Sequence, residues 1–166
     1  MKKTFEKNFS KKFSKKIFKK IFFKKIFFAD NIAPLVNNIF SNPMGMESFS
    51  IILGSIAFGI QVYCDFSGYS DIAIGAAAIL GFKIPLNFNK PFFATSPSDF
   101  WSRWHISLSS WVRDYLYFPL VFKHRRSSVI VFSSLLISML VMGLWHGASW
   151  NFLIWGGLHG IFLAVW

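Results

Sequence analysis

The chain has 166 residues, of which 54% are hydrophobic and 20% aromatic, whereas only 15% are charged. So few charged groups cannot cover the surface of a soluble domain, and the composition therefore indicates a membrane protein. The net charge is +11, but eleven of the eighteen Lys and Arg residues lie within residues 1–25 and the remainder is nearly neutral. This distribution argues against a nucleic-acid-binding module, whose basic residues would lie on the folded part.

Residues 1–28 form a basic, low-complexity tail in which Lys-Lys pairs alternate with Phe or Ile. Two structures suit this pattern: a solvated extension beside the membrane, or an amphipathic helix lying on an anionic membrane surface. No uninterrupted apolar segment precedes a small-residue cleavage site, so the tail does not have the pattern of a standard signal peptide.

Two apolar blocks follow, and carboxylates separate them. Phe49–Cys64 has sixteen uncharged residues, Ile72–Phe82 has eleven, and Asp65 and Asp71 lie between the blocks. Eleven residues at about 1.5 Å each cannot cross about 30 Å of hydrocarbon as a helix. The second block is therefore predicted to be either packed inside a helical bundle or part of a broken helix.

Residues 96–120, SPSDFWSRWHISLSSWVRDYLYFPL, begin like a helix. Ser96 suits the N-cap, Pro97 the first helical position and Asp99 the first turn, where a carboxylate meets the positive end of the helix dipole. Asp99 and Arg103 are then partners four residues apart. One helix would place on a shared face Trp101, Trp104, His105, Leu108, Trp111 and Tyr115, and on a neighbouring face Arg103, Ser107, Ser110 and Asp114. Such an aromatic face is typical of a helix at the membrane interface.

The third apolar block, Ser127–Trp166, has forty residues without Lys, Arg, Asp or Glu. About twenty residues cross a bilayer, so this length predicts two spans, with a break near HGASWN, residues 146–151. His146 is then at or near a helix end. Two glycine pairs with GxxxG spacing, Gly143/Gly147 and Gly156/Gly160, predict close helix packing.

The basic loop KHRR, Lys123–Arg126, immediately precedes this block. Short basic loops are typically cytoplasmic, which predicts that this loop and the N-terminal tail lie in the cytoplasm. The chain would then cross the membrane towards His146.

Two histidines are candidate functional groups because ionisable residues at membrane depth are costly unless they are paired or functional. His105 lies between Trp104 and Ile106, and on these residues alone a hydrogen-bonded structural histidine is the favoured interpretation. His146 is the stronger candidate because of its place at the end of an apolar span. The single cysteine, Cys64, offers no zinc-type pair.

Three long motifs occur in order: QVYCDFSGYSDIAIGAAAILGFKIPLNFNKPF, then SDFWSRWHISLSSWVRDYLYFPL, then MGLWHGASWNFLIWGGLHG. Together they resemble the membrane-bound O-acyltransferase family, in particular its bacterial branch that acetylates alginate and peptidoglycan. The resemblance runs from about Phe23 to the C-terminus. It implies an all-α fold, a multi-pass transmembrane bundle with interfacial and re-entrant helices, of which residues 29–166 form part.

The resemblance also implies a function. The enzyme would transfer an acyl group, most simply acetyl, from a cytoplasmic donor to hydroxyls of an extracytoplasmic polysaccharide. Acetyl-CoA or an acyl carrier thioester would be the donor, with no bound cofactor. The expected partners are the bilayer, the polysaccharide acceptor and a periplasmic or membrane-anchored acetyltransferase, and nucleic acid is not expected. The location would be the cytoplasmic (inner) membrane.

The family pattern maps its catalytic histidine onto His146, and the histidine of its second motif onto His105. Neutral imidazole can take the proton of a hydroxyl that attacks a thioester. Weaker expectations for substrate binding fall on Trp104, Arg103, Trp145 and Asp114. Arg103 has an alternative role as the ion-pair partner of Asp99 or Asp114.

Two other functions remain open from the sequence. A transporter or channel subunit would also use intramembrane histidines and broken helices, but it would not need both histidine motifs in this order. Family members are usually several hundred residues long, so this chain is expected to be a fragment. A catalytically inactive fragment, or a non-enzymatic membrane subunit, is therefore the second alternative.

Overall fold

The computed structural model describes residues 21–122 and 124–166, where all regular secondary structure is helical and no β-strand occurs. This confirms the predicted all-α fold. The chain divides into two compact units, Met1–Leu86 and Asn87–Trp166. Most of the predicted basic tail, residues 1–20, lies outside the described residues, as does Lys123 of the KHRR loop. Both interpretations of the tail, and its boundary at residue 28, remain predictions.

Three helices form the described part of the first unit. Helix α1, Phe22–Ala29, is π-helical and continues directly into α2, Asp30–Ser41. Asn42 then leaves the helical region, as expected for a residue that precedes a proline, and the 3₁₀ turn Pro43–Gly45 leads to α3, Ser48–Ile79. Helix α2 packs on α3 where a Cβ atom on Gly54 would lie 2.9 Å from Ile39, so glycine permits this close contact.

Helix α3 corrects one of the two interpretations of the apolar blocks. The blocks before and after Asp65 and Asp71 belong to one unbroken helix of 32 residues, so the broken-helix interpretation is wrong for this segment. At about 1.5 Å per residue this helix is longer than the hydrocarbon layer is thick. It therefore does not need to end where its charged residues begin.

Ion pairs to α1 accommodate the two carboxylates of α3. Lys24 Nζ lies 2.8 Å from Asp71 Oδ2, and Lys25 bonds to Asp65. The close approach of α1 is possible because Gly68 has no side chain, and a Cβ atom there would lie 3.4 Å from the Cβ of Lys25. These contacts supply a physical reason for the continuous helix: both acids have a partner, so the chain need not turn away to solvate them.

The described part of the second unit contains five helices and a π-helical segment. Short helices α4, Pro97–Arg103, and α5, Ile106–Val112, are followed by the π-helical segment Arg113–Tyr117 and by α6, Phe118–Val121. Helices α7, Ser128–His146, and α8, Trp150–Val165, complete the unit. A 3₁₀ turn, Pro91–Phe93, precedes α4. The buried core contains Trp101, Val112, Met139 and Met142.

Helices α7 and α8 pack backbone to backbone, which confirms the packing interpretation of the glycines. A Cβ atom on Gly143 would lie 2.3 Å from the carbonyl oxygen of Phe152. On α8, a Cβ atom on Gly156 would lie 2.4 Å from the carbonyl oxygen of Met139. Because real side chains never approach so closely, these positions require glycine for the two helices to contact as they do.

Within residues 21–122 and 124–166, two helices are long and apolar enough to cross a membrane, α3 and α7. The predicted break in the third apolar block is confirmed, since α7 ends at His146 and α8 begins at Trp150. Helix α8 has 16 residues and is shorter than a standard span. The structure therefore supports two helices in this block, of which α7 alone has the length of a span.

Candidate active site

The backbone breaks at Trp104 and His105, and this corrects the prediction of one helix across residues 96–120. Helix α4 ends at Arg103, Trp104 is extended, and His105 adopts the left-handed conformation with φ 42° and ψ 54°. A non-glycine residue pays an energetic penalty of about 1 kcal/mol or more in this conformation, so surrounding contacts must hold it. The predicted shared aromatic face is therefore wrong, because α4 and α5 are separate helices.

Asn87 holds the break together. Its carbonyl oxygen accepts a hydrogen bond from the backbone N–H of Ile106 at 2.9 Å, and its side-chain Oδ1 accepts one from Ser107 N at 3.1 Å. The first N–H groups of a helix have no partner within the helix, so Asn87 caps α5 from outside. Asn89 N donates to the carbonyl of Arg103 at 2.9 Å, which satisfies the end of α4. These long-range bonds explain why the helix stops at His105.

The start of α4 confirms its sequence signals. Ser96 Oγ accepts a hydrogen bond from Asp99 N at 3.0 Å, and Pro97 occupies the first turn. Arg103 Nε lies 2.7 Å from Asp99 Oδ1. The hydrogen bond from Arg103, followed by that from the backbone N–H of Thr95, lowers the pKa of Asp99 below its ordinary value. The predicted pair of Asp99 and Arg103 is therefore present.

The other candidate pair for Arg103 is not present. Asp114 bonds instead to the neighbouring Arg113, with 2.7 Å between Arg113 Nε and Asp114 Oδ1. The hydrogen bond from Arg113 also lowers the pKa of Asp114. Arg103 and Asp114 thus each have a charged partner, and the structure does not bring them together.

Aromatic rings surround the break. Trp104 contacts Phe88 edge-on at 5.1 Å between ring centroids and stacks on Phe100 at 5.6 Å. The imidazole of His105 stacks on Phe88, with 6.3 Å between the ring centroids. Phe92 also contacts Trp104, at 6.3 Å. His105 is half-buried beside these rings, so its imidazole lies in a largely apolar environment.

His146 lies at the C-terminal end of α7, as the sequence predicted. Residues 147–149 connect it to α8 without helical structure, and the backbone N–H of Gly147 bonds to the carbonyl of Leu144 at 3.2 Å. Its imidazole contacts the rings of Trp145 at 5.1 Å, Trp155 at 5.3 Å and Phe152 at 6.0 Å. His146 is exposed within the described chain, and the ring of Trp145 is 65% exposed.

The two histidines lie close enough to interact electrostatically. Burial lowers the pKa of His105, and the positive charge of protonated His146 lowers it further. Both causes favour the uncharged ring of His105 at neutral pH. The second unit therefore presents a neutral imidazole at the α4–α5 break and a second imidazole at the α7–α8 break.

Three residues near the site were missed by the sequence analysis: Asn87, Trp155 and His159. Trp155 contacts His146 at 5.3 Å and His159 at 4.7 Å, and His159 also contacts Trp101 at 5.3 Å. Trp155 and His159 are four residues apart, so helical periodicity could have placed both on one face of α8. Asn87 had no such local signal, because its side-chain partners lie 18 to 20 residues further along the chain.

A cavity of about 460 Å³ lies among α4, α5, the π-helical segment, α7 and α8, and its lining includes neither His105 nor His146. Ile106, next to His105, and Met142, one helical turn before His146, both line it. Its polar lining includes Arg113, Tyr117 and serines from three helices: Ser98, Ser102, Ser109, Ser110 and Ser138. Such a mixed lining suits a neutral chain with several polar groups. Across residues 21–122 and 124–166, no three His, Cys, Asp or Glu side chains are grouped as metal ligands.

The chain matches the sequence profile of the membrane-bound O-acyltransferase family (MBOAT) over residues 3–165. It is 46% identical over 144 residues to the probable alginate O-acetylase of Azotobacter vinelandii, a match covering 86% of this chain and 28% of that protein. Identity is 43% over 142 residues to the peptidoglycan O-acetyltransferase of Helicobacter pylori, with 86% and 27% covered.

A third relative, the teichoic acid D-alanyltransferase of Streptococcus thermophilus, is 40% identical over 116 residues, covering 65% of this chain and 28% of that protein. The chain thus spans somewhat more than a quarter of the length of these relatives. The family profile covers nearly the whole chain, and it includes both histidine motifs. The chain belongs to the membrane-bound O-acyltransferase family.

Proposed function

We propose that this chain is part of a membrane-bound O-acyltransferase that moves acetyl from a thioester donor to a polysaccharide hydroxyl, and that its His146 and His105 take part in the transfer. The observation that carries the proposal is the position of His146 at the end of an apolar span, within electrostatic reach of His105, in a member of this family. Among the described residues no carboxylate forms a salt bridge with His146. An ionisable residue at the end of an apolar span is costly unless it is paired or functional.

In the proposed reaction, His146 acts as the general base. Its imidazole takes the proton of the acceptor hydroxyl while the hydroxyl oxygen forms a bond to the thioester carbonyl carbon. The carbon–sulfur bond then breaks, and the proton passes from the imidazole to the departing thiolate. The products are an ester on the polysaccharide and a free thiol, so no external oxidant or cofactor is required.

The donor is acetyl-CoA or an acyl carrier thioester, and it approaches from the cytoplasm. The serine-lined cavity beside Ile106 and Met142 suits the polar arm of such a donor. Trp104 and Trp145 would line the acyl path near the two histidines. Arg103 and Asp114 would bind substrate only by exchanging their present ion-pair partners.

The acceptor is an extracytoplasmic glycopolymer such as alginate or peptidoglycan. This assignment is supported by the relatives, whose names describe O-acetylation of these two polymers. A periplasmic or membrane-anchored acetyltransferase would complete the transfer.

We propose that the chain forms part of a multi-pass bundle in the cytoplasmic membrane. Helices α3 and α7 are the candidate spans, and α4 and α5, with their tryptophans, would lie at the interface. Residues 147–149 form the break expected of a re-entrant or wet segment. The basic loop Lys123–Arg126 and the N-terminal tail would face the cytoplasm.

The experiment that tests this function measures transfer of labelled acetyl to polysaccharide in membranes that contain the chain. Acetyl-CoA and an acyl carrier thioester are compared as donors, and alginate and peptidoglycan as acceptors. We expect ester-linked label on one acceptor, and the A. vinelandii relative serves as the positive control. Absence of label in all four combinations, with an active relative, would refute acyl transfer by this chain.

A further inference from the structure

The side-chain oxygen of Asn87 receives hydrogen bonds from the residues around the α4–α5 break. Oδ1 lies 3.1 Å from the backbone nitrogen of Ser107, 2.9 Å from Ser107 Oγ and 3.1 Å from Nδ1 of His105. A backbone N–H can only donate. The atom that faces Ser107 N must therefore be the amide oxygen and not the amide nitrogen, and this fixes the orientation of the Asn87 side chain.

This orientation determines where the His105 ring carries its proton. An amide oxygen is only an acceptor, so a lone pair on Nδ1 at 3.1 Å would face another lone pair and be repelled. A proton on Nδ1 instead gives a hydrogen bond. In the neutral ring just one nitrogen is protonated, so Nε2 then carries the lone pair.

We propose that Asn87 is a positioning residue that holds His105 in the tautomer protonated at Nδ1, so that Nε2 is the nitrogen that accepts a proton or hydrogen bond during acyl transfer. The role in acyl transfer rests on the proposed function, whereas the tautomer follows from the contacts alone. Asn87 does not touch the reacting atoms; it acts through His105.

The backbone contributions of Asn87 reinforce this role. Its carbonyl bonds to Ile106 N, which lies directly after His105, and thus helps to hold His105 in its left-handed conformation. The same residue therefore orients both the backbone and the ring of His105. Loss of the side-chain oxygen would leave the Ser107 N–H without its cap and would remove the acceptor that favours a proton on Nδ1.

The tautomer assigns His105 a definite chemical role. A neutral ring with its lone pair on Nε2 can accept a hydrogen bond from a hydroxyl, but it cannot donate one from that nitrogen to a carbonyl oxygen. His105 would therefore accept a hydrogen bond from the acceptor hydroxyl, and so orient it, or help to accept its proton. The negatively charged oxygen that forms on the thioester carbonyl during the attack would have to be stabilised by another group.

The decisive measurement is the ¹⁵N spectrum of the histidine-labelled chain in a membrane mimetic, above the pKa of His105, with the His105 signals assigned by their loss in His105→Gln. We expect Nδ1 to be protonated and Nε2 unprotonated. In Asn87→Leu, the His105 tautomer that is protonated at Nε2 should become populated. Asn87→Asp keeps an acceptor oxygen and should retain the native tautomer.

Two controls separate this effect from general damage. Ser107→Ala removes one bond to the same oxygen and the 3.4 Å contact between Ser107 Oγ and His105 Nδ1, but it leaves the contact between Nδ1 and Asn87 Oδ1. Asn89→Leu replaces an exposed asparagine two residues away from Asn87. Both should keep the native tautomer. If the wild-type ring is protonated at Nε2, or if Asn87→Leu folds and leaves the tautomer unchanged, the proposal is wrong. If Asn87→Leu does not fold, the wild-type and Asn87→Asp spectra decide.

Kinetics then test the positioning role. We expect Asn87→Leu to lower kcat by about 10²-fold or more with little change in KM, and Asn87→Asp to restore most of kcat with its acidic limb moved to higher pH. An unchanged kcat in Asn87→Leu, together with the altered tautomer, would refute the role in transfer. If no variant and no wild-type protein transfers acyl groups, the proposed function fails, and the spectra still decide the tautomer.

Discussion

At the scale of single residues, His105 combines a strained, left-handed backbone with a lowered pKa of its imidazole. Its left-handed backbone places the imidazole against Phe88, and burial together with the charge of His146 lowers its pKa below 6.5. We predict that an NMR titration will give His105 a pKa below 6.5. His146→Gln removes the second cause, so the pKa of His105 should rise but stay lowered by burial. A pKa of His105 at or above 6.5 in the wild-type protein would contradict this assignment.

The same shift predicts a pH dependence of stability. Because the folded pKa is lower than the unfolded one, the unfolded chain binds more protons as the pH falls below about 6.5. The contribution of His105 to folding should therefore be constant above that pH and decline below it. Denaturation of the wild-type protein and of His105→Gln across this range should show a smaller decline in the variant.

Some residue-level features could be predicted from the sequence because their partners are local. Ser96, Asp99 and Arg103 lie within two helical turns, so capping and i,i+4 rules found their contacts. The α4–α5 break could not be found in this way. Its cause is Asn87, whose hydrogen bonds reach across 18 to 20 residues of chain, and helical periodicity continued smoothly through His105.

At the scale of helices, glycines control the packing of α7 on α8. Gly156→Ala should destabilise the fold by about 1–3 kcal/mol, because the new methyl group would meet the carbonyl of Met139 and a backbone cannot move aside as a side chain can. Gly157→Ala is the matched control, since its nearest neighbour would lie 3.7 Å away. Unfolding in mixed micelles measures both variants, and equal stabilities would contradict the packing described here.

The two lysines of α1 provide a second test at this scale. Lys24 and Asp71 are mostly buried, with 25% and 13% of their side chains exposed, whereas Lys25 and Asp65 are 40% and 52% exposed. Lys24→Ala should therefore cost about 1–3 kcal/mol by leaving Asp71 unpaired. Lys25→Ala should cost less than Lys24→Ala, because a larger part of the Lys25–Asp65 pair lies outside the packed interior of the chain. The free energies of unfolding check this order, and a reversed order would refute it.

These ion pairs also show why the fold was only partly predictable. The break after His146 is marked locally by Gly, Ser and Asn, so the sequence located it correctly. In α3 the charges of Asp65 and Asp71 suggested that the helix is interrupted. Their lysine partners lie 40 and 47 residues earlier in the chain, so the local sequence does not reveal that these charges are neutralised. The continuity of α3 therefore depends on tertiary ion pairs, which a prediction from local charge does not include.

At the scale of the whole molecule, the proposed topology predicts which ends of α7 face each compartment. With Cys64 replaced by Ser, single cysteines are introduced at His124 and at Ser149, before and after α7. A membrane-impermeant thiol reagent added to intact cells should label the cysteine at Ser149 and spare the cysteine at His124. Labelling of both positions, or of His124→Cys alone, would contradict a cytoplasmic basic loop.

His146 is the proposed base of acyl transfer, and a comparison of two histidine variants tests this role. The rate of labelled acetyl transfer to polysaccharide is measured in membranes for the wild-type chain, His146→Ala and His124→Ala, at equal protein levels. Both variants lose one exposed imidazole, but His124 lies in the basic turn away from the two helix breaks. We predict that His146→Ala lowers the rate by about 10²–10⁴-fold while His124→Ala retains it. Transfer at the wild-type rate by His146→Ala would show that His146 is not the base.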